Sequence, residues 1–170
     1  MRPIGLVLCT IGLLATAGCS LQPLHAQRSD GGGSAVDDLS NVYIKPLTDR
    51  SGQILHNFLR DRLNPRGQPA TPAFQLQVEV SESTTELAIR EDETATRADL
   101  KLKAKYVLTQ GRNKQILLEG DVRTVSSYNI LESQFATYTA EEDARKRGLR
   151  ELSDKILTHL GLFFTKAQRT

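Results

Sequence analysis

Residues 94–123 read TATRADLKLKAKYVLTQGRNKQILLEGDVR, and the alternation within them decides the fold. Leu100, Leu102, Ala104, Tyr106 and Leu108 share one parity, while Lys101, Lys103 and Lys105 share the other. A period of two is that of a strand with one buried face. Gly111-Arg112-Asn113-Lys114 supplies a compact turn, after which Ile116, Leu118 and Val122 are expected to face in and Glu119, Asp121 and Arg123 out. Two strand-like flanks on a short linker predict an antiparallel hairpin.

Upstream, Phe74, Leu76, Val78 and Val80 alternate with Gln75, Gln77, Glu79 and Ser81, a further half-buried strand. Leu87 and Ile89 fall on the opposite parity, and a bulge after Ser81 is expected to restore their facing. Before that strand, Ile54, Leu55, Phe58, Leu59 and Leu63 form a stripe at helical period from Gln53, stopped by Asn64-Pro65-Arg66-Gly67. Asp49 or Ser51 is available as its cap. Earlier still, Asn41–Leu47 reads as a short strand ended by Pro46. Downstream, Thr139 and Glu142 fit a capping box that opens a helix with Ala140, Ala144 and Gly148 followed by Leu149, Leu152, Ile156 and Leu160. Gly161 is its expected C-cap. The order strand, helix, three strands, helix predicts an α+β two-layer sandwich. In it a four-stranded, mostly antiparallel sheet carries two helices on one face. The strand order within the sheet is not legible from pattern.

The N-terminus decides where this domain lives. Arg2 precedes an apolar run from Ile4 to Ala15, shorter than the ~20 residues that span a bilayer. The run closes on Thr16-Ala17-Gly18-Cys19, small residues directly before a cysteine. Cleavage after residue 18 would leave Cys19 to carry acyl chains, and each buried methylene adds about 0.8 kcal/mol to membrane affinity. An ordinary secretory leader, cut near Ala17 or at Leu24-His25-Ala26, is the main alternative, and an uncleaved anchor the other. Ser20 follows the cysteine where an aspartate would mark inner-membrane retention, so the outer membrane's periplasmic side is the expected destination. The layout is then a leader over 1–18, a lipidated tether over 19–40, one α+β domain over 41–161, and a tail over 162–170. Arg28 to Ser34, with Gly31-Gly32-Gly33, has the composition of a flexible linker.

The whole chain carries Lys plus Arg 22 against Asp plus Glu 20, a formal charge of +2. That balance is too slight for a nucleic-acid binder. The only cysteines, Cys9 and Cys19, fall on the leader and the lipid site, so the domain is expected to hold no disulfide. His25, His56 and His159 lack ligands at metal-site spacing, and no nucleophile elbow or phosphate loop is present. These features predict neither an enzyme nor a cofactor. Lys101, Lys103 and Lys105 stand about 6.6 Å apart on one strand face. Arg123 or Lys114 is placed to extend them into a surface for phosphates or an acidic partner. The same pattern also serves solubility alone.

Three stretches carry a likeness to a known family. They are Cys19 followed by Leu21-Gln22-Pro23-Leu24; Val42-Tyr43-Ile44 through Asp49-Arg50-Ser51-Gly52-Gln53 to Leu63; and Ala140-Glu141-Glu142-Asp143-Ala144 leading into Gly148 to Ile156. In that order the chain resembles the LPS-assembly lipoprotein family LptE, in its alphaproteobacterial form. The family's usual Gly-Phe after the cysteine is Ser20-Leu21 here, and the Gly31–Gly33 insert is a departure. The resemblance implies a lipid-anchored plug within the large outer-membrane β-barrel, LptD-like, that inserts lipopolysaccharide into the outer leaflet. It also implies contact with lipopolysaccharide in passage. The runner-up is a periplasmic lipoprotein binding module, such as a pilotin or an accessory subunit of another envelope lipid-transport system.

Overall fold

The structure is a computed structural model that describes residues 35–89 and 95–168. Cys19, the leader and most of the expected tether lie outside these residues. The described chain runs α1 (Ala35–Ser40), β1 (Val42–Ile44), α2 (Arg50–Leu63), β2 (Phe74–Ile89), β3 (Ala95–Gln110), β4 (Ile116–Asn129) and α3 (Gln134–Ala167). The sheet order is β1-β2-β3-β4, with β1 parallel to β2 and the other pairs antiparallel. This is the α+β arrangement that the alternation predicts.

One face of the sheet builds the core. Leu76, Val78, Leu100, Leu102, Ala104, Tyr106, Leu108 and Val122 pack with Leu55, Leu59 and Leu63 of α2 and with Leu149, Leu152, Ile156 and Leu160 of α3. Burying each such side chain contributes about 1.5–3 kcal/mol, which fixes the register because a one-residue slip would expose the whole row. Gly148 lets α3 lie close on the sheet, since a Cβ there would stand 2.4 Å from Leu102 Cδ1. β1 buries Val42 and Ile44 completely and stops short of Pro46, which offers no N–H to continue the ladder. Asp49 then caps α2, accepting a hydrogen bond from the Gly52 N–H at 2.6 Å.

The structure corrects several expectations. α1 occupies the end of the expected tether; its Asp38 accepts a hydrogen bond from Gln168 at 3.1 Å and its Ser40 carbonyl one from Asn64 at 2.9 Å. β2 carries no bulge. Its pairing with β3 runs in register from Phe74↔Gln110 to Leu87↔Arg97, so Leu87 stays on the outer face, 39% exposed. The irregularity lies instead in β4, where Leu108 pairs Leu118 but Thr109 pairs Ile116. Leu117 is thereby skipped and packs against the core, while Ile116, expected inside, is 58% exposed.

α3 departs most from expectation. It begins at Gln134 under the Ser133 cap, whose hydroxyl accepts from the Ala136 N–H at 3.4 Å. Thr139 is inside the helix and donates to the Phe135 carbonyl at 2.9 Å, and Glu142 pairs with arginines, so the expected capping box is absent. Nor does Gly161 end the helix, and residues 162–167, expected as a tail, continue it. Phe164 is buried there, its ring 4.9 Å from that of Phe74. Burial of a phenylalanine outweighs the ~1 kcal/mol cost of glycine within a helix.

Candidate binding surface

The sheet face opposite the helices presents its side chains in rungs across β2, β3 and β4. Ser83–Lys101–Val125, Ser81–Lys103–Arg123 and Glu79–Lys105–Asp121 lie side by side, followed by Gln77–Val107–Glu119. Lys101, Lys103, Lys105 and Arg123 thus do share one face. The expected basic patch is uneven, however. Lys105 stands in register between Glu79 and Asp121. Asp121 Oδ2 accepts from Arg123 Nε at 3.0 Å and lies 3.7 Å from Lys103 Nζ. The hydrogen bond from Arg123, with Lys103 beside it, holds the Asp121 carboxyl below its ordinary range against a smaller opposing effect of desolvation. The two rungs around Lys101 and Lys103 carry no carboxylate of their own. They set two lysines and Arg123 among Ser81, Ser83 and Val125. Lys114 is in the β3–β4 turn, at a φ of 55°, past the acidic rungs, and does not extend this group.

A second constellation joins α2, β2 and α3 on the helix side. Arg145 is nearly buried and spreads its guanidinium over three carboxylates. Nε bonds Glu82 at 3.1 Å, Nη2 bonds Glu141 at 2.5 Å, and Nη1 bonds Glu142. Arg50 at the head of α2 also pairs with Glu142 at 2.8 Å, and Ser51 donates to Glu82 at 3.0 Å. Burial opposes the charge on Arg145, but the hydrogen bonds to Glu141 and Glu82 hold its pKa raised. The i,i+3 and i,i+4 spacing of Glu142 and Glu141 to Arg145 is visible in the sequence. The long-range partner Glu82 is not.

The described histidines have structural neighbours. His159 Nδ1 is 2.6 Å from the Tyr106 hydroxyl, and His56 Nε2 is 3.4 Å from Gln68 Nε2. Gly120 leaves room for that tyrosine, because a Cβ there would meet its hydroxyl at 2.6 Å. Among the described residues no three His, Cys, Asp or Glu side chains are grouped to hold a metal ion. No helix among them is long and apolar enough to cross a membrane.

Known proteins share this architecture. A candidate lipoprotein of Caulobacter crescentus matches with a TM-score of 0.67 at 21% identity, over 77% of this chain and 96% of its own. Rare lipoprotein B of Shewanella oneidensis matches with a TM-score of 0.57 at 13% identity, over 74% and 96%. An uncharacterized protein of Rickettsia prowazekii is 25% identical over 95% of this chain and 96% of its own length. The family model described as LptE, lipopolysaccharide-assembly, matches residues 39–160. That span takes in every described element from the end of α1 to Leu160 in α3. The chain belongs to the lipopolysaccharide-assembly lipoprotein family LptE.

Proposed function

We propose that this protein is the lipid-anchored plug of the outer-membrane β-barrel that inserts lipopolysaccharide, helping that barrel to assemble and meeting lipopolysaccharide as it passes. The family match over residues 39–160 carries the reading. Cleavage after residue 18 would leave Cys19 at the N-terminus, and acyl chains attached to that residue would hold the chain on the periplasmic side of the outer membrane. Residues 19–34 would then allow about 50 Å of reach at full extension before α1 begins. A rigid two-layer domain with a polar outer sheet face suits a barrel lumen, which is itself polar. Lys101, Lys103 and Arg123 are the groups best placed for lipid phosphates, since their two rungs hold no carboxylate; Asp121 of the next rung pairs with Arg123 and Lys103, which leaves Lys101 the foremost of the three.

Depletion of the protein tests the role. The expected result is barrel protein that fails to reach its heat-resistant folded form on gels, and a fall in lipopolysaccharide at the cell surface. A folded barrel and undiminished surface lipopolysaccharide after depletion would overturn it. A pilotin-like role would instead show as loss of a different envelope complex.

A further inference from the structure

The sheet has two long edges, and the chain treats them differently. β4 forms one of them. α3 lies beside it and two of its basic side chains reach the strand's backbone, Lys155 Nζ donating to the Arg123 carbonyl at 2.6 Å and Arg147 Nη2 to the Ser127 carbonyl at 3.5 Å. Helix cover and cationic side chains are established ways of refusing an incoming strand.

The other edge is β2 beyond Leu76. β1 pairs only with Phe74, Gln75 and Leu76, and the Lys45 N–H donates to the Leu76 carbonyl at 2.9 Å. At Pro46 the chain leaves the sheet for α2. In a strand the N–H and C=O of one residue point to the same side, and the side alternates along the chain. Since Leu76 points at β1, Val78, Val80, Glu82, Thr84 and Glu86 point their backbone groups the same way, away from β3. Outside the ladder to β3, no backbone hydrogen bond among the described residues reaches them. β2 contains no proline, lysine or arginine to guard this edge. Ser81, Glu82, Ser83, Thr84 and Glu86 are exposed along it.

We propose that the Val78–Glu86 edge of β2 binds an extended segment of the partner barrel protein as a fifth strand, occupying the lane that β1 vacates at Pro46. The identity of the partner rests on the barrel reading above. Every strand of a closed barrel wall is already paired on both sides, so the segment comes from a lumenal loop or from chain flanking the wall. Its side chains are basic rather than acidic, because β2 offers Glu79 on the outer face and Glu86 on the helix face and no cation, Glu82 being paired with Arg145. A second copy of this chain is a poor occupant for the same reason, since two β2 edges would set glutamates against glutamates.

Amide hydrogen exchange, resolved to single residues, tests this on the full-length protein alone and in its detergent-solubilised complex with the barrel. The amides of Val78, Val80, Glu82, Thr84 and Glu86 are expected to exchange at least about tenfold more slowly in the complex. Thr84→Pro removes one outward donor while sparing the ladder to β3, and is expected to abolish that slowing and speed dissociation. A complex that forms with these amides still exchanging freely overturns the inference and leaves the barrel reading standing. Failure of any complex to form overturns both. Protection in the isolated chain overturns the inference too, marking its own N-terminal segment as occupant if independent of concentration and a second copy if dependent.

Discussion

Replacing Arg145 with methionine is expected to lower the unfolding free energy by about 2–3 kcal/mol, read from urea denaturation followed by circular dichroism. The guanidinium is the hub between β2 and α3, bonding Glu82, Glu141 and Glu142 at once. Methionine keeps much of the volume but leaves three carboxylates facing one another, of which Arg50 pairs with Glu142. Removing one partner of a fully buried pair costs about 3–5 kcal/mol, and the lower figure here allows for the exposure of Glu82 and Glu141 to water. Glu142→Gln, which retains a hydrogen-bond acceptor beside both arginines, is expected to cost less than half as much. Equal and small losses for both variants would show that the network is solvated and that the leucine core alone fixes α3.

The double reversal Lys101→Glu with Lys103→Glu is expected to weaken binding to purified lipopolysaccharide by roughly tenfold or more, with Lys105→Glu having little effect. The asymmetry comes from the rungs. Lys105 stands in register between Glu79 and Asp121, whereas the rungs of Lys101 and Lys103 hold no carboxylate, and Lys103 meets Asp121 of the next rung only at 3.7 Å. All three positions face away from the core, so thermal stability should change little. Binding that falls equally for every lysine would mean that the face acts through its general charge. Binding unchanged in the double variant would remove this face from lipid contact.

Most of the fold was legible because it rests on parity. Leu100 to Leu108 and the stripe from Leu55 to Leu63 each bury one row, and periodicity alone assigns them. What escaped the pattern depends on contacts distant in sequence. Phe164 draws α3 past Gly161 by reaching Phe74, and nothing local at Gly161 announces this. The first turns of α3 expose Phe135 and Tyr138, so no buried row marks the helix before Ala144, and Thr139 with Glu142 resembled its start. Ile116 lost its expected place because skipping Leu117 reverses the facing at the start of β4. For the candidate surface, the shared face of Lys101, Lys103, Lys105 and Arg123 follows from the period of two. Its division into rungs with and without carboxylates needed the cross-strand register, which no single strand reveals. The Arg145 hub likewise needed Glu82, 63 positions away in sequence.

Purification of the full-length protein from its own outer membrane in mild detergent bears most directly on the central claim, with mass spectrometry of the complex and of the peptide bearing Cys19. The account predicts a near one-to-one complex with the large lipopolysaccharide-inserting barrel and an acylated Cys19. Acylated protein recovered without that barrel would contradict the plug, and an unmodified Cys19 would contradict the anchor.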